Sequence, residues 1–315
     1  MLIEQIRTRV LPKRGIVAAP DEILITLGSQ NALYLLTRLL LSSTTRIGVE
    51  NPCFREAINT FLLADAEVVP HPVDEEGIVL NERPCDYYYV TPGHQVPTGV
   101  TMSSARRRQL LEHAARHDAV IIEDDYDSES NFTLNPLPAL KASDRSGRVV
   151  YVSSLSKALS PGLRLGFMVA DPDLIDEARA LRRLVYRHPP TNIQYQMAHF
   201  LAQGHYETHL RRYHYDSAQR WERLHAALQR YLPSCRALAG SEHANAFWLQ
   251  TPAQINTQQL TWRAAHAGVL IEPGARHFLS AAPPDNYFRM GFHAINPDAI
   301  AQGVEVLRGQ LEQMG

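Results

Sequence analysis

Between residues 22 and 188, several short apolar runs without polar alternation recur between stretches of helical spacing, and nothing else in the chain constrains its fold as strongly. Val120-Ile121-Ile122 is the plainest case. A strand wet on one face carries a polar side chain at every second position, so a run that is apolar throughout is buried on both faces. Strands are expected at Glu22–Leu27, Arg46–Glu50, Glu67–Pro70, Asp86–Thr91, Ala119–Asp124, Val149–Ser153 and Leu165–Ala170. Helices are expected between them at Ser29–Leu41, Cys53–Ala64, Ser103–His117 and Asp173–Tyr186, several opened by Ser or Asp caps. The pattern is that of an α/β protein with a mostly parallel central sheet covered by helices.

After Pro189-Pro190 the pattern changes to one long helical stretch, Asn192–Tyr231. A strand at Ala246–Gln250, a helix at Thr257–His266, strands at Val269–Glu272 and Asn286–Phe292, and a last helix from Pro297 follow. This divides the chain into a large domain, 1–188, and a spacer helix with a smaller C-terminal α+β domain, 189–315. With 31 basic against 33 acidic residues the net charge is -2, which favours neither nucleic acid nor an anionic membrane as partner. The three cysteines, Cys53, Cys85 and Cys235, are widely spaced, so neither a disulfide framework nor a zinc site is expected. Ala32–Leu41, the longest apolar stretch, is too short to span a bilayer, and Met1–Arg14 lacks a signal-peptide core. A cytoplasmic protein is expected.

The chemistry gathers at strand ends. Lys157 follows Val149-Val150-Tyr151-Val152 and the cluster Ser153-Ser154-Leu155-Ser156, with Arg164 seven positions on. It reads either as a surface lysine after a polar turn or as a nucleophilic amine beside hydroxyls and a guanidinium suited to a phosphate, a set that points to pyridoxal phosphate. Gly28-Ser29-Gln30 joins a strand to a helix, where free amides serve equally as a simple cap or as a phosphate site. Glu123-Asp124-Asp125-Tyr126 ends a buried strand, in the crevice where open α/β sheets bind ligands. Asp124 there suits a pyridinium nitrogen, while a metal finds no further ligands at useful spacing. Arg289 interrupts the apolar run Tyr287–Phe292, so it needs an anionic partner, either an internal acid or a substrate carboxylate.

In this order the segments resemble fold-type I pyridoxal phosphate enzymes of the class I/II aminotransferase group. Thr91–Gly99, Glu123–Glu129 and His209-Leu210-Arg211-Arg212 are most similar to the aminotransferase-like domain of MocR-family regulators, and the similarity covers nearly the whole chain. The resemblance implies that Lys157 attaches the cofactor covalently, Asp124 binds the pyridine nitrogen and Tyr126 hydrogen-bonds the ring's phenolic oxygen. It also implies that Ser29, Gln30, Ser154, Ser156 and Arg164 surround the phosphate, that Phe54 stacks on the ring and that Arg289 holds a substrate α-carboxylate. Where typical aminotransferases carry Asn at the phenolic oxygen this chain has Val96, and His94 or Gln95 is expected to substitute. By the same resemblance the chain starts inside the helix before Asp21-Glu22, without the family's winged helix-turn-helix or N-terminal arm.

The activity implied is exchange of an amino group between an amino acid and a 2-oxo acid, in a homodimer. The alternatives are an effector-sensing domain that binds the cofactor and an amino compound without turnover, and a lyase, racemase or oxidase on the same fold. No residue placed from sequence reads the substrate's side chain.

Overall fold

Ile121 and Ile122 are both almost wholly buried, yet they belong to different apolar clusters. That is the two-face burial expected of the central runs. The computed structural model describes residues 1–81, 83–129, 136–237 and 246–314. Its large sheet comprises β1 (Ile23–Thr26), β2 (Arg46–Asn51), β3 (Glu67–Asp74), β4 (Gly77–Ile78), β5 (Tyr87–Val90), β6 (Val120–Asp125), β7 (Val149–Ser154) and β8 (Gly166–Val169), in the order β1-β8-β7-β6-β5-β2-β3-β4. The five strands from β3 to β7 in that order run parallel, and β8 runs against β7 and β1.

Helices cover both faces. After the short α1 (Leu2–Gln5) come α2 (Ser29–Leu40), α3 (Arg55–Leu62), α4 (Ser104–His117), α5 (Leu140–Ser143), α6 (Pro172–Val185), α7 (Thr191–Ala202) and α8 (His205–Tyr231). Leu33 and Leu36 of α2, Ile58 and Phe61 of α3 and Ile175 of α6 pack with Ile47, Val49, Ile122, Val150 and Met168 on one face. On the other, Leu110 and Ala114 of α4 meet Tyr88, Val90 and Ile121, while Met197 and Leu201 of α7 join Tyr151 and Phe167 with the N-terminal segment.

The long helix expected over Asn192–Tyr231 is two helices, because the chain turns at Gln203-Gly204, where Gly204 takes φ 75°. Glycine reaches that left-handed conformation at little cost, so α7 ends there and α8 restarts. The C-terminal part holds β9 (Arg236–Ala237), β10 (Ala246–Gln250), α9 (Thr257–His266), β11 (Glu272–Pro273), β12 (Tyr287–Gly291) and α10 (Ile300–Glu312), with a four-stranded sheet in the order β11-β12-β10-β9. The strand expected at Val269–Glu272 is shorter and later: Leu270 is exposed, and pairing begins at Glu272.

One close approach sets the geometry of the sheet edge. Gly166 pairs with both Thr26 and Ser154, so the ends of β1 and β7 converge on it. A Cβ on Gly166 would sit 2.6 Å from the Gly28 carbonyl carbon and 2.8 Å from the Ser153 carbonyl oxygen, backbone atoms that cannot turn aside. Gly166→Ala should therefore lower the unfolding free energy by about 1–3 kcal/mol, the range of an overpacked core. A urea unfolding midpoint equal to wild type would show that the two backbones can separate.

Candidate active site

Glu123, Asp124 and Asp125 end β6 as three consecutive buried acids, and their alternation decides what each does. Glu123 accepts from the backbone N–H of Leu140 (2.7 Å) and Lys141 (2.9 Å). Asp125 Oδ2 accepts from Arg14 Nε at 2.7 Å and from the Tyr151 hydroxyl at 2.8 Å. Asp124, between them, faces the other way. Its Oδ2 accepts from the Tyr89 hydroxyl at 2.9 Å, while its buried Oδ1 has no hydrogen-bond partner among the described residues. Burial pushes the Asp124 carboxyl up to about 7, against the opposing pull of the Tyr89 hydroxyl and with some help from Asp125.

Lys157 lies in the loop from β7 to β8. That loop is clamped at its base: Leu155 N–H donates to Leu165 O at 3.0 Å, and the Ser156 hydroxyl donates to Leu165 O (3.1 Å) and accepts from Leu165 N–H (2.9 Å). The Lys157 ammonium stands 3.1 Å from Asp127 Oδ1 and 4.0 Å from the centre of the Tyr126 ring. Burial lowers its pKa and the Asp127 charge opposes that shift. Asp127 Oδ2 in turn lies 2.9 Å from His94 Nδ1.

Ser29, Gln30, Phe54, Asp124, Tyr126, Lys157 and Arg289 share the walls of one cavity of about 330 Å³. Gly28, Ser154 and Arg164 lie outside its lining: Arg164 donates to Leu27 O at 2.9 Å, a Cβ on Gly28 would meet the Arg164 guanidinium at 3.0 Å, and Ser154 Oγ accepts from Ser156 N–H. Three further expected residues also lie outside the lining. The Ser156 hydroxyl is engaged with the backbone of Leu165 and braces the lysine loop. His94 and Gln95 are buried, His94 against Asp127 and Gln95 against Pro52 O and Thr98. Val96 lines the cavity, and the Tyr126 hydroxyl donates to His94 O at 3.1 Å.

Sequence reasoning missed the rest of the walls. Tyr89 lies in the run Tyr87-Tyr88-Tyr89, where strand alternation sends it to the face of Asp124; Asp127, which is outside the lining but pairs with Lys157, lies within the segment already singled out. Glu272, Arg276 and His277 carried no sequence signal. They reach the cavity because Cys53 N–H donates to His277 O at 2.9 Å, His277 Nδ1 lies 2.9 Å from Cys53 O, and Leu279 N–H donates to Asn51 Oδ1 at 2.9 Å. Arg289 has the internal partner that one reading foresaw: Glu272 Oε2 lies 3.3 Å from its Nη1.

These residues fit pyridoxal phosphate. A lysine amine whose pKa is lowered by desolvation shares a cavity with a buried carboxylate oxygen that has no donor among the described residues, and Ser29 brings the N-terminal end of the twelve-residue α2 to the same cavity. Among the described residues no group of His, Cys, Asp and Glu could hold a metal ion, and no helix is long and apolar enough to cross a membrane.

Fold and cavity together define a fold-type I pyridoxal phosphate protein, and comparison with known proteins gives the family. The profile of aminotransferase class I and II matches residues 3–307, so the chain belongs to that family, and its cofactor is pyridoxal phosphate. It is 39% identical over 308 residues to the HTH-type transcriptional regulator TauR of Rhodobacter capsulatus (96% of this chain, 63% of TauR). It is 34% identical over 299 residues to the probable rhizopine catabolism regulatory protein MocR of Rhizobium meliloti (94% of this chain, 60% of MocR). The chain thus spans under two thirds of the length of these curated relatives. The structure of Pyrococcus horikoshii kynurenine aminotransferase, solved with PMP, matches 99% of this chain and 80% of its own, with a TM-score of 0.91 at 28% identity.

Asp124 ties the site to stability. Its folded-state value of about 7 lies above the ordinary 3.8, so the folded protein holds this proton more tightly than the unfolded chain. The contribution is complete below about 3.8 and is lost as pH rises through 7. In the cofactor-free protein, Asp124→Asn should flatten the decline in unfolding free energy across that window, followed by urea titration at a series of pH values. Parallel curves for the two proteins would mean that Asp124 ionises like an exposed carboxylate.

Proposed function

We propose that this chain is a pyridoxal phosphate-dependent aminotransferase domain that exchanges an amino group between an amino acid and a 2-oxo acid. The observation that carries the reading is Lys157 and Asp124 on one cavity, the amine pushed toward neutrality by burial and the acid with an oxygen free to meet a cation. When bound, the cofactor supplies an electron sink for charge that develops at the substrate's Cα. The protein's part is to place protons and charges. Lys157, as a free amine, would serve as the base that takes the Cα proton and returns it, with the Asp127 carboxylate 3.1 Å away to stabilise the ammonium so formed. Asp124 keeps the ring nitrogen protonated, since a cation facing its Oδ1 reverses the penalty that burial places on the carboxylate. Phe54 would stack on the ring, Tyr126 packs its ring against the Lys157 amine, and Arg289 would hold the substrate's carboxylate with its guanidinium fork. The large and small parts divide near residue 188, and the working form is a homodimer.

A second reading, the effector-sensing domain of a transcription regulator, is supported by the similarity to the regulators TauR and MocR. Turnover separates the two.

Borohydride reduction of the cofactor-loaded protein followed by peptide mapping should label Lys157, and a panel of amino acids should convert the bound cofactor to its amine form. Asp124→Asn should keep the cofactor but slow that conversion at least about a hundredfold, roughly 2.7 kcal/mol of transition-state stabilisation. Label on a different lysine would sink the reading, and cofactor binding with no conversion by any amino acid would leave the sensor.

A further inference from the structure

Arg289 shares its cavity wall with a carboxylate. β11 pairs with β12 so that Glu272 stands directly opposite Arg289, and the two side chains meet at 3.3 Å. The other Glu272 oxygen lies 3.3 Å from His277 Nε2 and 3.5 Å from Arg276 Nη1. Arg276 reaches across to Glu56 of α3 at 3.1 Å. All five groups line the same cavity. His277, then the Arg289 and Arg276 charges, hold Glu272 down to about 2, so it is an anion throughout the neutral range.

The geometry differs from that of a structural ion pair in the same protein. Arg14 and Asp125 meet at 2.7 Å with side chains 8% and 2% exposed, whereas Arg289 and Glu272 are 26% and 31% exposed at a separation beyond that of a strong charge-assisted bond. Glu272 also divides its oxygens between two sets of partners. If Arg289 is taken from it, Arg276 and His277 remain, so release leaves no buried, uncompensated charge, which is what makes breaking an ordinary buried pair costly.

We propose that Glu272 is an internal substitute for the ligand's carboxylate: it occupies Arg289 in the ligand-free cavity, and a carboxylate ligand must displace it toward Arg276 and His277 in order to bind. Glu272 thereby sets how strongly the site favours carboxylate ligands. The inference rests on Arg289 as the carboxylate subsite of the proposed aminotransferase. It does not need turnover.

The test is calorimetric titration of the cofactor-loaded protein with propanoate, which carries a carboxylate but no amino group and so cannot react. Glu272→Gln removes the competing charge, and propanoate should bind about tenfold more tightly than to wild type, equivalent to roughly 1.4 kcal/mol. Arg289→Gln should abolish binding. Unchanged or weaker binding by Glu272→Gln would show a brace that positions Arg289 and would overturn the proposal, as would propanoate binding to neither protein or undiminished binding to Arg289→Gln. Should Glu272→Gln fail to fold, a crystal structure of the wild type with propanoate decides. Glu272 and Arg289 moved beyond ion-pairing distance supports displacement, and an intact pair refutes it. Failure of borohydride labelling at Lys157 would end the aminotransferase reading and leave this titration interpretable.

Discussion

Everything at the sheet edge depends on how the protein tolerates three adjacent acids at the end of a buried strand. Carboxylates taken out of water are expensive unless paired or hydrogen-bonded. Two backbone N–H groups satisfy Glu123, and Arg14 with the Tyr151 hydroxyl satisfies Asp125. With its neighbours compensated on the opposite face, Asp124 is left to face the cavity with one oxygen unclaimed. The N-terminal segment that carries Arg14 therefore supports the site without touching it. Arg14 Nη1 also donates to Leu137 O at 2.9 Å, joining the segment after β6 to the same brace.

Burial drives the two central groups toward neutrality, Asp124 upward and Lys157 downward. A cation facing Asp124 and removal of the charge on Lys157 would each offset the cost that burial creates. On the opposite wall the balance is different. There Glu272 already answers the cations beside it, and a ligand's carboxylate enters as a competitor.

Much of the fold was legible in the sequence because two-face burial leaves a local trace: Val120-Ile121-Ile122 and Val149–Val152 lack alternation for the reason seen in the packing. The turn at Gly204 was not, since a lone glycine is also tolerated inside helical spacing. The cavity-facing residues at the strand ends were legible because topology fixes which edge of a parallel sheet is open. His94 and Ser156 show the limit of that logic. Proximity in sequence to a site does not say which way a hydroxyl or imidazole turns, and here the backbone and Asp127 claimed them first. Glu272, Arg276 and His277 were beyond reach for another reason: the Cys53–His277 contact that brings them in joins positions 224 apart.

The contact of Gly166 with Gly28 has a mechanical consequence. Leu165, gripped by Leu155 and Ser156, continues directly into Gly166, and Gly28 continues directly into the first turn of α2. The lysine loop and the start of that helix therefore meet through closely packed backbone, which ties the position of the Lys157 amine to that of the first turn of α2. From the other sheet, the Cys53–His277 backbone hydrogen bond and the Arg276–Glu56 contact tie the segment that follows β11 to the segment that follows β2, so lining groups from the two sheets are held together.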